Sequence, residues 1–186
     1  MKNLILITFI ALIFSVEIKA QDSTSSEKKD KFVKVGFSER SFNNSRIEDV
    51  GAMLGLEVSY GLEVQKNLTA SLFASSHWKT LSETEDLGYH ELAIWFDYHP
   101  ANFYIGAAPV FVSIVLDEEI IRNSQSVTET SSKNGIGIEG RIGYSISLFR
   151  GVELYIEAKY SKVNIDSDAD DKWDIGTAGF SIGFLL

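Results

Sequence analysis

The sequence predicts an all-β chain folded as an eight-stranded antiparallel up-and-down transmembrane β-barrel, and three observations predict it. The last stretch, Trp173 to Leu186, alternates Ala178, Phe180, Ile182, Phe184 and Leu186 with Gly179, Ser181, Gly183 and Leu185, giving one apolar face and one mostly small or polar face. A strand with apolar residues at every second position lays one face against an apolar medium. Seven further segments share this period of two, and the connections between them alternate short and long.

Taken from the N-terminus, Met1 to Ala20 reads as a secretory signal peptide, with Lys2 as its basic start, an apolar run from Leu4 to Val16 and the small Ala20 at its end. That run is shorter than the roughly 20 residues of a membrane-spanning helix. No other stretch is long and apolar enough to span as a helix, so a membrane crossing must use strands. Residues 21–31, rich in Ser, Lys, Glu and Asp, read as a disordered tail, and 32–186 as one barrel domain. The chain has no Cys, which excludes a disulfide framework and a lipid-anchored lipoprotein. Taking Lys2, Lys19 and Glu17 from 17 basic and 26 acidic residues leaves 15 and 25, a formal charge of -10. Such an acidic chain is not expected to bind nucleic acid.

Strands are expected at 32–39, 49–63, 68–79, 88–98, 103–116, 134–148, 152–164 and 173–186. In the second, Val50, Ala52, Leu54, Leu56, Val58, Tyr60 and Leu62 share the apolar face and Glu57 lies on the other. The sixth sets Ile136, Ile138, Ile142, Tyr144, Ile146 and Leu148 against Glu139 and Arg141, and the seventh sets Leu154, Ile156, Ala158 and Tyr160 against Glu157 and Lys159. In the fifth, Phe103 to Val115 is apolar on both faces and Pro109 cannot donate to a ladder, which suggests a bulge or phase shift. Segments 64–67, 99–102 and 149–151 read as tight turns, while 40–48, 80–87, 117–133 and 164–172 read as long polar loops. Tyr60, Phe96, Tyr98 and Phe184 at the short-turn end, with Trp78 and Tyr89 toward the loop end, are expected to form two aromatic girdles.

This pattern resembles the small eight-stranded outer-membrane barrel superfamily of the OmpA transmembrane domain, OmpX and the PorT-like barrels. The likeness covers 32–186 and rests on architecture and on Phe180, Ile182, Phe184 and Leu186, which are similar to the C-terminal assembly signal of that group. Leu186 stands where the family usually has Phe. The resemblance implies a bacterial outer-membrane location with both termini periplasmic. It also implies insertion by the barrel-assembly machinery, contact with outer-membrane lipids and lipopolysaccharide, and a structural or surface-contact role without catalysis. No cofactor is expected, and the partner of the loops is not encoded in any recognisable motif.

The alternative is a soluble lipocalin-like binding barrel, which puts apolar residues inside and charges outside. Inverting the faces would bury Glu57, Glu91, Asp97, Glu139, Arg141, Glu153, Glu157 and Lys159, so the membrane arrangement is preferred. An eight-stranded lumen is just wide enough to be filled by side chains. Closure of the 149–151 turn sets Arg141 opposite Lys159, with Glu139 and Glu157 on the diagonals and Glu57 drawn in from across the lumen. A polar plug of salt bridges is expected there, with a narrow ion path as the alternative.

Ser76 and His77 are neighbours on opposite faces of a strand and cannot pair. Ser75 and His77 share a face, and symmetric closure of 80–87 sets Glu91 opposite His77. The set is similar to the arrangement in outer-membrane lipid A deacylases, but the phase turns it inward, away from lipid, so catalysis is not expected. His90 and His99 show no partner set in the sequence. Asp166, Asp168 and Asp170 resemble the opening of a calcium loop, yet Asp171 and Thr177 stand where that loop requires Gly and Glu. No metal site is therefore expected, and the weaker reading is cation bridging to lipopolysaccharide.

Overall fold

The computed structural model describes residues 31–43, 50–122, 125–149, 151–165 and 173–186. The signal peptide expected at 1–20, the tail but for Lys31, and Asp166, Asp168 and Asp170 lie outside the described residues. The strands are β1 (Lys31–Asn43), β2 (Ala52–Gln65), β3 (Leu68–Ser82), β4 (Glu85–Tyr98), β5 (Phe103–Arg122), β6 (Gln125–Phe149), β7 (Val152–Ile165) and β8 (Trp173–Leu185). Each pairs antiparallel with its sequence neighbour, and β1 closes on β8 from Lys34↔Leu185 to Asn43↔Gly176, giving a closed barrel with eight described strands. Leu186 is tied in by two backbone hydrogen bonds with Val33, of 2.8 and 3.1 Å.

The period of two is realised as the sequence predicts. Leu54, Ile138 and Phe180 are 69%, 69% and 67% exposed, while Glu57, Glu139 and Arg141 are buried on the other face. The apolar set lies outside and the charges inside, which is the reverse of a lipocalin. Tyr60, Phe96, Tyr98, Phe184 and Trp78 face outward as expected. Tyr89 does not: it is buried, edge-on to Phe42 at 5.3 Å and to His77 at 5.8 Å. Val50 precedes β2 and is also buried rather than outward, because Gly51 at φ 60° turns the chain before the strand begins.

The expected loops are shorter than their polarity suggests. Residues 80–82 and 85–87 extend β3 and β4, and much of 117–133 is a ribbon in which Glu118 pairs with Glu129 and Ile120 with Val127. Arg40, expected in a loop, lies within β1. Thr, Ser, Val and Ile supply the cross-strand pairs that carry these segments on as strand. With 20 and 25 residues, β5 and β6 far exceed the roughly 9–11 needed to cross a bilayer. Their ribbon therefore stands beyond the last described partners, Glu85↔Glu118 on β4 and Gly135↔Ile165 on β7. Pro109 causes no phase shift. Ala93↔Val110 and Phe96↔Ala107 keep one register, and only the two pairs between them are missing from the β4 side, where Pro109 has no N–H to give.

Along the barrel axis the polarity inverts. Toward the ribbon end the interior holds Phe42, Leu87, Ile114, Leu116, Val163, Ile165 and Ile175, whereas the outer face there carries Glu39, Thr80, Asp86, Lys162, Asn164 and Asp174. Toward the short-turn end the arrangement is reversed: charges inside, Leu, Ile and aromatics outside. The inner apolar cluster explains why β5 reads as apolar on both faces. Its inward Ala108, Val110 and Val112 pack in this cluster with Phe73 and Trp95, while Ile105 and Phe111 face outward.

Candidate functional site

Inward positions on seven of the strands, all but β3, converge on a buried polar network. Lys159 Nζ, on β7, lies 2.6 Å from Glu57 Oε2 on β2 and 2.8 Å from Glu157 Oε1. Lys34 Nζ donates to Glu157 Oε2 at 2.8 Å, and the Tyr104 hydroxyl donates to the same oxygen at 2.6 Å. Glu57 also accepts from the Tyr155 hydroxyl at 2.8 Å and from Ser181 Oγ at 3.0 Å. Arg141 makes a two-pronged contact with Asp97, Nε at 2.7 Å and Nη2 at 2.5 Å, and its guanidinium stacks 4.0 Å over the Trp95 ring. One step toward the ribbon end, Arg40 Nη2 donates to both Glu91 Oε2 and Glu139 Oε1 at 2.7 Å, and Nη1 donates to Thr177 Oγ1 at 3.1 Å.

Register explains who meets whom. Arg141 stands opposite Lys159, as the sequence predicts. Their like charges are separated because Arg141 swings to Asp97 while Glu157 sits between Lys34 and Lys159. Glu139 does not join Arg141 or Lys159 but turns to Arg40. Of the five lumen residues read from the sequence, Glu57, Arg141, Glu157 and Lys159 thus form one network and Glu139 belongs to a second. Asp97 lies on the polar, inward face that the alternation of its strand predicts. Lys34, Tyr104 and Tyr155 complete the first network and Arg40 the second; the sequence reading missed all four as partners, although each occupies the inward phase of its strand.

The interior is packed around these groups. The space among Lys34, Glu57, Phe73, Arg141, Tyr155 and Glu157 admits no water-sized sphere. Two aromatic rings reach their acids only because glycines let them lie flat on the wall. A Cβ on Gly143 would fall 2.2 Å from Tyr104 Cζ, and one on Gly36 would fall 2.1 Å from the Tyr155 hydroxyl. Gly143→Val is expected to push Tyr104 off Glu157 and to cost about 1–3 kcal/mol, read as a lower urea midpoint for the folded barrel in lipid vesicles.

The Ser75, His77 and Glu91 set is not assembled. The β3–β4 hairpin pairs Lys79 with Leu87, so Glu91 stands opposite Ser75, and His77 faces Tyr89, two residues short of Glu91. His77 Nε2 instead hydrogen-bonds Ser38 Oγ at 2.8 Å, Glu91 is held by Arg40, and Ser75 Oγ has no hydrogen-bond partner among the described residues. Among the described residues no cluster of three or more acidic, His or Cys side chains has the geometry to hold a metal ion.

A closed ring of eight strands, an apolar outer belt and an ion-paired interior define the small eight-stranded outer-membrane β-barrel fold. Neisserial surface protein A shares it over 84% of this chain and 96% of that protein, at 10% identity and a TM-score of 0.54. A major outer membrane protein from Thermus thermophilus is similar over 83% and 98%, at 10% identity and 0.55. The attachment invasion locus protein Ail of Yersinia pestis is similar over 84% and 97%, at 12% identity and 0.52. No protein-family model and no curated protein sequence matches the chain.

Proposed function

We propose that this chain is an integral outer-membrane barrel whose lumen is a structural plug and whose work is done on its outer surface. The observation that carries this is the filling of the interior: an ion-paired belt toward the short-turn end and an apolar cluster above it. An ion crossing would have to break buried charge pairs and then enter Phe42, Ile114, Leu116 and Ile175 without compensation. The lumen is thus neither a channel nor a catalytic pocket.

Lys31 and Leu186 lie at the end that carries the short turns. Secretion by the Met1 to Ala20 segment and insertion from inside by the barrel-assembly machinery would leave both termini periplasmic and the β5–β6 ribbon outside. That ribbon is the surface-contact element. Glu85, Glu118 and Glu129 form one cross-strand row at its base, and Thr130 Oγ1 donates to Asp117 Oδ1 at 2.7 Å on its other face. Outer-membrane fractionation with heat-modifiable gel migration tests the location, and planar-bilayer recording of the purified barrel tests the plug. The expected results are a folded form in the outer-membrane fraction and no steady conductance. Soluble periplasmic protein overturns the first, and a stable open current overturns the second.

A further inference from the structure

Outside the lumen, one outward row is polar at the edge of the apolar belt, on the short-turn side of the outward Trp78. Ser76 on β3 stands opposite His90 on β4, His90 opposite Ser113 on β5, and Ser113 opposite Asn134 on β6. The next row toward the short-turn end is Ala74, Leu92, Phe111 and Ile136; the next toward the ribbon is the outward Trp78 with Gly88, Val115 and Ser132, and beyond it stand Thr80, Asp86, Asp117 and Thr130. The polar row therefore sits just inside an outward Trp. Interfacial aromatics mark the headgroup level, and the acyl esters of a leaflet lie immediately below it.

Within the row, Ser76 Oγ and His90 Nδ1 are 2.6 Å apart. Both residues are part-exposed, and neither closes a turn or joins the lumen network. The imidazole's other nitrogen leans over Gly88, where an added Cβ would lie 3.1 Å from Nε2, so the missing side chain gives the ring its place. Polar groups facing hydrocarbon are costly unless they are used or satisfied. A hydroxyl hydrogen-bonded to an imidazole is the arrangement of a nucleophile and its base.

We propose that Ser76 and His90 form an acyl-ester hydrolase site on the lipid-facing wall, acting on a membrane lipid of the outer leaflet. The inference rests on the membrane placement above. Ser76 Oγ bonds to the ester carbonyl carbon while His90 Nδ1 takes the hydroxyl proton. The bond from that carbon to the lipid's alcohol oxygen breaks, and His90 returns the proton to the leaving oxygen. Water, deprotonated by His90, then adds to the acyl-serine, and the acid leaves as Ser76 recovers its proton. Ser113, directly across from His90, supplies a hydroxyl beside the reacting carbonyl, and Asn134 extends the polar surface toward a headgroup. Among the described residues no carboxylate is bonded to His90, so the site works as a pair.

The test uses the full-length barrel refolded into two vesicle types, one of phosphatidylethanolamine and one containing lipopolysaccharide, with free fatty acid measured by mass spectrometry. A fluorophosphonate probe reports the nucleophile. The expected result is fatty acid release from one of the two lipids, which identifies the source of the ester, and probe labelling at Ser76. Ser76→Ala should abolish both, His90→Ala should lower release by about 10²-fold or more, and the lumenal Ser75→Ala should change neither. Heat-modifiable migration of every variant confirms folding and separates failure of the barrel reading from failure of the site. Folded protein that releases no fatty acid from either vesicle and takes no label overturns the proposal, as does release that survives Ser76→Ala.

Discussion

Arg40→Met should lower the stability of the folded barrel by about 3–5 kcal/mol, the typical cost of removing one member of a buried ion pair. Arg40 is 1% exposed, and its Nη2 alone holds both Glu91 and Glu139. Methionine fills much of the space but leaves two buried carboxylates facing one another. The measurement is urea unfolding in lipid vesicles, followed by heat-modifiable migration. A companion variant separates charge from packing: with Glu91→Gln and Glu139→Gln added, most of the loss should be recovered. Failure of that rescue would show that Arg40 acts through its shape.

Ile94→Arg should cost about 2–4 kcal/mol in a bilayer, the penalty for a cation at the midplane of a barrel's lipid face. Ile94 lies on the outward face of β4, with Phe96 and Tyr98 on one side and Leu92 and His90 on the other, and is half exposed. In a soluble barrel the same change would leave stability unaltered. Reduced folding yield into vesicles and a lower urea midpoint are the expected readings, and unchanged values would remove the lipid from that face.

The sequence carried the strand count, the closed antiparallel order and the phase of most strands, because alternation of one residue in two is a local property. Phe180, Ile182 and Phe184 face outward for the reason their spacing implies. Strand ends were less legible. Ile120, Val127 and Thr130 sit among Ser, Glu and Asp, and only their partner across the ribbon makes them strand. Two residues of β3–β4 register separate a His77 that faces Glu91 from the His77 that faces Tyr89, and the hairpin makes the second pairing. The polar interior could be foreseen as a composition, but not its pairings. Arg40, Glu91 and Glu139 come from three strands far apart in sequence, and no local pattern marks side chains that meet across a lumen. The bond between Ser76 and His90 was hidden for the same reason, since it needs the register of two strands.

The inversion of polarity along the barrel makes one sheet serve two solvents. Below the reversal the wall is apolar outside and ion-paired inside. Above it, Ile165, Ile175 and Leu116 pack inward and Lys162, Asn164 and Asp86 meet water, so that portion has the construction of a water-soluble domain. The level at which the two constructions change over is set by side chains rather than by the length of any strand. The chain thus carries its own waterline, and a bilayer of different thickness must adjust to the barrel at that line.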